Sequence, residues 1–254
     1  MGEQILKNIG IFYGGHNLSG DMNTVTINYS ADLLDKTVFG ADSRQRKAGL
    51  KNVEISGGGF WNSSGGVDAS TMGKPDPVLN QAIGGSSEVI SILPRGTGVG
   101  KEAYFTKSLA GEYSPGGTIG EMLGFTFASY GESEELIRGK VLEDGGTTKL
   151  GSTVVNMGAA STLKNLYLGV HVLSMSSGAN LQIDAARSTT TDFSASSTQL
   201  TITLTTDDIG KARWASTKVG SSSANYSYRI KIAQLASSSG PGSGGNLLTV
   251  LGQQ

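Results

Sequence analysis

Cysteine is missing altogether from the 254 residues. Its absence excludes a disulfide framework, a thiolate zinc site and a cysteine nucleophile. Histidine is nearly missing: His16 and His171 are the only two. Neither has a serine or carboxylate constellation beside it that would make it a catalytic base, so no catalytic set is expected. Charged residues are few, at 16% with a net charge of −1. That argues against a groove gripping nucleic acid through many phosphate contacts. No apolar run approaches the roughly 20 residues of a membrane-crossing helix, so no membrane anchor is expected. Met1 to Gln4 carries an acid rather than a basic region, and no long apolar core follows. The expected product is soluble and made in a cytoplasm.

What is present is glycine, at 38 residues, with abundant serine and threonine against only 5 prolines. Such a composition suits disorder when apolar residues are scarce, but here they make up 37% and fall in strand-length runs. The expected class is a loop-rich all-β protein, a β-barrel or β-sandwich. Residues 1–150 hold 13 basic and 17 acidic side chains, residues 151–254 hold 7 and 4. An acidic and a basic half in one chain favour head-to-tail packing of copies.

The strands follow from their patterns. Ile5 to Tyr13 is apolar and β-prone, and is expected to pair with a neighbouring copy. Thr24 to Tyr29 alternates polar and apolar residues, as do Leu200 to Thr205 and Tyr226 to Ile232. Glu88 to Leu93, Ala103 to Leu109, Met122 to Tyr130, Leu136 to Leu142 and Leu247 to Leu251 are further strands. Leu166 to Leu173 and Asn180 to Ala185 flank a Ser-Gly turn as an expected hairpin. One short helix is expected over about 77–83, with Asp76 accepting first-turn amides, Pro77 opening it and Gly84 ending it. Its Val78, Leu79, Ala82 and Ile83 share a face that should lie on a sheet.

Several chemical readings fail on their own terms. The stretch from Arg95 to Glu102 lacks both the first glycine and the hydroxyl of a phosphate loop. Glu132, Glu134, Glu135, Asp207 and Asp208 lack the spacing of calcium ligands, so no metal is expected. No cofactor is expected either. Asn17, Asn28, Asn62 and Asn225 match a glycosylation pattern that is empty in this context. A composition change at Glu143 to Thr148 sets a soft boundary (143–160) between a domain at 1–142 and a β-rich second region at 143–254, a sandwich or second barrel.

The most informative stretch runs from Leu18 to Trp61. Leu18-Ser19-Gly20 opens an alternating strand, and Asp35-Lys36-Thr37-Val38-Phe39-Gly40 reads as a short strand stopped by glycine. Arg44 to Leu50 is a basic, non-periodic loop. Gly49-Leu50-Lys51-Asn52-Val53 then leads into the Gly57-to-Trp61 strand. This order resembles the tail tube (major tail) proteins of long-tailed bacteriophages. Family-motif positions are Leu18, Gly20, Asp35, Thr37, Phe39, Gly40, Gly49, Leu50, Gly57 and Trp61.

The resemblance implies a virion protein made in host cytoplasm that assembles with itself into stacked rings. A single-barrel chain implies rings of six; a duplicated chain implies a trimer. Partners implied are the tape measure and tail terminator proteins, with DNA passing through the lumen without specific binding. Arg44, Arg46, Lys47 and Lys51 are the candidates for contact with acidic residues of the next ring, since modest pairs repeated around a ring become effectively intramolecular. The rival readings are a capsid decoration protein, and a lectin-like module using Trp61, Trp214, Tyr226 and Tyr228.

Overall fold

The period-two stretches do become strands, and most of the chain is strand. A computed structural model describes residues 8–63, 73–132, 135–146, 154–159, 165–175, 180–189, 193, 196–218, 225–236 and 245–254. The strands are β1 (Gly10–Tyr13), β2 (His16–Asn17), β3 (Met22–Asp35), β4 (Arg46–Phe60), β5 (Glu88–Leu93), β6 (Glu102–Gly116), β7 (Gly124–Gly131) and β8 (Ile137–Gly146). They continue with β9 (Val155–Ala159), β10 (Asn165–Met175), β11 (Asn180–Ser188), β12 (Ser197–Leu204), β13 (Ala212–Lys218), β14 (Asn225–Ala236) and β15 (Gly245–Gln253). Helix α1 spans Pro75–Ala82.

The fold is all-β, built from open antiparallel sheets with no closed barrel among the described residues. The large sheet runs β13-β10-β15-β8-β6-β5-β1-β2, and β7, β4 and β3 branch from β6. The small sheet runs β12-β11-β14-β9. Three apolar clusters hold these layers. Leu166, Leu168, Val170 and Val172 of β10 meet Leu181, Ile183, Leu204, Tyr228 and Ile230 of the small sheet, which makes a sandwich. On the opposite face of the large sheet, Phe12, Phe105, Ile137, Tyr167 and Val250 form a second cluster. The third joins Ile11, Leu18, Ile90 and Ile92 to Val53, Ile55, Phe125 and Phe127, with Val78 and Leu79 of α1 laid against them.

The turn between β1 and β2 touches the turn before β13, at the two free ends of the large sheet. The Gly15 amide donates to the Gly210 carbonyl at 3.0 Å, and the Gly210 amide to that of Val172 at 3.0 Å. A side chain does not fit at Gly15, because a Cβ there would stand 2.4 Å from the Val172 carbonyl oxygen. His171, fully buried, stitches the same seam: its Nδ1 lies 2.5 Å from the Gly14 carbonyl and its Nε2 2.7 Å from Ser91 Oγ. A carbonyl only accepts, so Nδ1 carries the proton and Nε2 accepts from the Ser91 hydroxyl. Burial lowers its pKa to about 4.

Several expectations change. Helix α1 begins at Pro75 rather than residue 77, since the earlier proline also fits a first turn whose amides lack helical partners. Asp76 lies within that turn and accepts the Tyr113 hydroxyl at 2.8 Å. Gly84, just past the end, does take φ +71°. The Gly10–Tyr13 strand pairs inside the chain with β2 and β5 and is buried, so that strand is not available to a neighbour. The expected hairpin of Leu166–Leu173 with Asn180–Ala185 does not form: β10 pairs with β13 and β15, β11 with β12 and β14. Its turn lies outside the described residues. The boundary placed at 143 runs through β8, and β10, β13 and β15 share the large sheet with strands of the first half.

Candidate assembly surface

The branch β3-β4-β7-β6 is a four-stranded antiparallel sheet made of two long hairpins. Its registers are fixed by Ile27 opposite Ile55, Ile55 opposite Ser129, and Tyr113 opposite Phe127. Alternation then sorts the faces. Val25, Ile27, Val53, Ile55, Phe125 and Phe127 turn toward α1 and β1. Thr24, Thr26, Asn28, Glu54, Ser56, Thr126, Glu112 and Ser114 occupy the other face. Hydroxyls dominate that face, which also takes in Ala128 and Tyr130; among the described residues of these four strands opposite one another, Glu54 and Glu112 are its only charges.

Both outer edges of this sheet are open. Among the described residues β3 is bonded on one side only, to β4. β6 loses its β5 partner after Ser108, so from Leu109 to Gly116 it pairs with β7 alone among the described residues. A bulge at Gly111, between the Ala110 and Glu112 pairs, turns this half of β6 away from the first half. A Cβ at Gly111 would meet the Tyr130 ring at 2.5 Å.

The β3–β4 hairpin outgrows its support. From Asn28 to Asn52 every residue is exposed except Ala41 and Gly49, which are half-buried. Two strands with neither face covered are marginal in water. Yet this ribbon carries Tyr29, Leu33, Leu34, Val38, Phe39 and Leu50, with Phe39 at 110% exposure. Its loop is closed locally: Thr37 donates its amide at 2.8 Å and its hydroxyl at 2.5 Å to Asp35 Oδ1. Thr37 Oγ1 in turn accepts the Gln45 amide at 2.9 Å. These bonds hold the Asp35 carboxyl below its ordinary value.

The sequence candidates are now placed. Arg44, Arg46 and Lys47 lie together at the exposed tip. Lys51 does not join them, being on the supported side in an ion pair with Glu135. Glu135 also accepts the Tyr29 hydroxyl at 3.1 Å and the Gln254 amide. The hydrogen bond with Glu135 raises the Lys51 pKa, and its counterpart lowers that of Glu135. Two local readings are corrected. Asp35–Gly40 is a stapled loop rather than a short strand, and the basic loop from Arg46 onward is the start of β4.

Among the motif residues, Leu18 is fully buried and Gly57 sits in β4 where Phe127 crosses it. Gly40 takes φ +89° in the tip loop, and Gly49 lies at the bulge between the Ala31–Lys51 and Leu33–Ala48 pairs. Gly20 lies in the turn before β3. The Trp61 amide donates to the Leu123 carbonyl at 2.9 Å, at the opposite end of the sheet from Phe39.

Sequence reading missed the β6–β7 tip, residues 117–123. Ile119, Met122 and Leu123 are 104%, 72% and 44% exposed there. Its signal was apolar residues inside a glycine-rich turn. The aromatics of the sugar-binding reading are not gathered into one surface. Tyr228 is buried and accepts from Gln253, Trp214 packs on Phe105 and Tyr167, and Tyr226 faces Arg187.

No family model matches the chain, and no curated protein does. Among solved structures it is similar to a chain of the virion of a native gene transfer agent particle (16% identity, TM-score 0.41), over 53% of this chain and 98% of that one. It is similar to a chain of the tail of the empty gene transfer agent particle, refined with C6 symmetry (12%, 0.34), over 45% and 79%. It is also similar to the SPP1 Dit protein of a phage adsorption hub (9%, 0.37), over 98% and 100%.

Proposed function

We propose that this chain is a structural subunit of a phage-type tail tube, a ring-forming protein with no reaction to perform. The observation that carries the reading is the four-stranded sheet with two open edges. Its strands alternate in direction, and their number is even. Rotating one copy about an axis beside the sheet therefore sets β6 of one subunit against β3 of the next in antiparallel sense. Such a heterologous contact closes into a ring when the rotation does. It also removes an edge that otherwise invites uncontrolled pairing.

The hydroxyl-rich face lines the lumen in this reading. Thr24, Thr26, Asn28, Ser56 and Thr126 with Glu54 and Glu112 offer DNA no fixed cations, so it passes without being held. One such sheet per chain among the described residues favours six copies per ring over a trimer of duplicated subunits. The small sheet shares no cluster with the four-stranded sheet and belongs on the outside of the ring. The place of action is the virion tail after synthesis in the host, with tape measure and terminator proteins as the further partners.

The chain's lack of cysteine gives a clean test. Thr24→Cys on the β3 edge and Ser114→Cys on the β6 edge, placed in one chain, should yield reducible oligomers on oxidation. Their ladder should stop at the ring number, and negative-stain images should show annuli. A chain that stays monomeric at high concentration and forms no such ladder rejects the proposal.

A further inference from the structure

Where β5 and β6 approach β13, the body holds a cleft of about 420 Å³ that the assembly surface does not use. Ser86 and Glu88 stand at the start of β5, and Lys107 lies on β6 beside Val89. Lys211, Arg213 and Trp214 arrive with the start of β13. The Ala212 amide donates to Glu88 Oε2 at 3.2 Å and ties the two walls together.

Three of the lining side chains are bases and one is an acid. Burial pushes the Glu88 carboxyl up, while the Ala212 amide and the charges of Lys211, Arg213 and Lys107 pull it down. All three cations therefore act at one point. Two of them are held by acids that lie outside the lining. Buried Asp208 accepts Arg213 Nε at 2.7 Å, and Glu132 pairs with Lys107 Nζ at 2.9 Å. A guanidinium and an ammonium each carry several N–H groups, so both cations keep donors that these acids do not use. Lys211 makes no ion pair among the described residues.

The remaining donor is Trp214. Its ring packs on Phe105 and Tyr167, yet its indole N–H is buried and finds no acceptor. Leaving a buried donor unpaired costs on the order of 1–3 kcal/mol, and a bound group from outside the chain removes that cost.

We infer that this cleft binds a small phosphate-bearing molecule, its phosphate held by Lys107, Lys211 and Arg213 and a ligand oxygen accepting the Trp214 N–H. Phosphate suits the cleft better than carboxylate, because the donors converge from separate walls and outnumber what a planar carboxylate takes. The volume leaves room for more than the bare anion. Ser86 and Glu88 are placed to meet hydroxyl groups next to the phosphate. The inference stands apart from the ring reading, and either can fail alone.

The chain has two tryptophans, so Trp61→Phe leaves Trp214 as the only one and makes its emission a reporter of the cleft. The full chain carrying that substitution is titrated with inorganic phosphate and with glycerol 3-phosphate, chloride holding the ionic strength constant. A saturable change in emission is expected from both, and none from glycerol. Lys211→Ala, at an exposed position, should weaken both by about tenfold or more, and Lys211→Arg should stay within about threefold. In the chain without Trp61→Phe, phosphate should raise the melting temperature above that in chloride, and Lys211→Ala should abolish the rise. Undiminished phosphate binding by Lys211→Ala puts the anion elsewhere and overturns the site. Acetate binding as tightly as phosphate overturns the ligand class. An unsaturating response equal to that of chloride is screening alone and overturns the inference as well.

Discussion

Strand β10 is buried on both faces along Leu166–Val172, while β3 beyond Ile27 is buried on neither. Both carry leucines and a tyrosine. In β10 those side chains are accounted for inside the chain: even positions from Leu166 to Val172 enter the sandwich, Tyr167 meets Phe105 and Trp214, and His171 closes the seam. In β3 and its tip, Tyr29, Leu33, Leu34 and Phe39 meet water. Apolar side chains grouped on an exposed surface in this way mark interaction sites. The molecule thus has a body packed on both faces of β10 and a hairpin exposed on both of its faces.

The comparison can be broken from its stronger side first. Leu168→Ala, in a fully buried position of β10, should cost about 2–5 kcal/mol in chemical denaturation. Next comes acid. The folded pKa of His171 lies at about 4, below the ordinary 6.5, so the unfolded chain takes up the proton first. This contribution is whole above pH 6.5 and is lost as the pH falls from 6.5 toward 4. Its size is about 3 kcal/mol. His16, also lowered by burial, acts in the same direction, and Glu88, raised by burial, acts against it. The measurement is therefore a difference: His171→Gln should flatten the fall in melting temperature relative to the unaltered chain over that window. Smallest is Leu34→Ala, expected to move the stability of the isolated chain by no more than about 0.5 kcal/mol. A loss comparable with that of Leu168→Ala would mean that the hairpin is packed by its own chain, and the contrast would collapse.

The same contrast explains what could be read from the residues. Glu88–Leu93 was legible to the residue because a run buried within the chain announces itself as a bounded apolar stretch. The start of β4 was not, and the reason is physical. Period-two alternation reports one face in water and one in a core, and a ribbon with both faces in water leaves no such trace. Arg46, Lys47 and Ala48 thus looked like a loop while pairing with Asp35, Leu34 and Leu33. The β10–β11 pairing was misread for the opposite reason. Lacking alternation, Leu166–Leu173 needed cover on both faces and two flanking strands, which sequence neighbours do not supply. Of the surface itself, the basic tip was visible as a cluster of like charges. The open edge of β6 was invisible, since it depends on where β5 stops. The pairing of Lys51 with Glu135 joins residues far apart in the chain and gave no sequence signal.

One small irregularity has mechanical weight. β6 is a single strand serving two masters: its first half is fixed between β5 and β8, its second half belongs to the projecting sheet, and the bulge at Gly111 lies between them. A Cβ there would stand 2.5 Å from the Tyr130 ring, so the glycine lets that ring pack directly on the backbone at the bend. Beyond the bulge, every ladder bond of β6 among the described residues runs to β7, and none runs to β5 or β8.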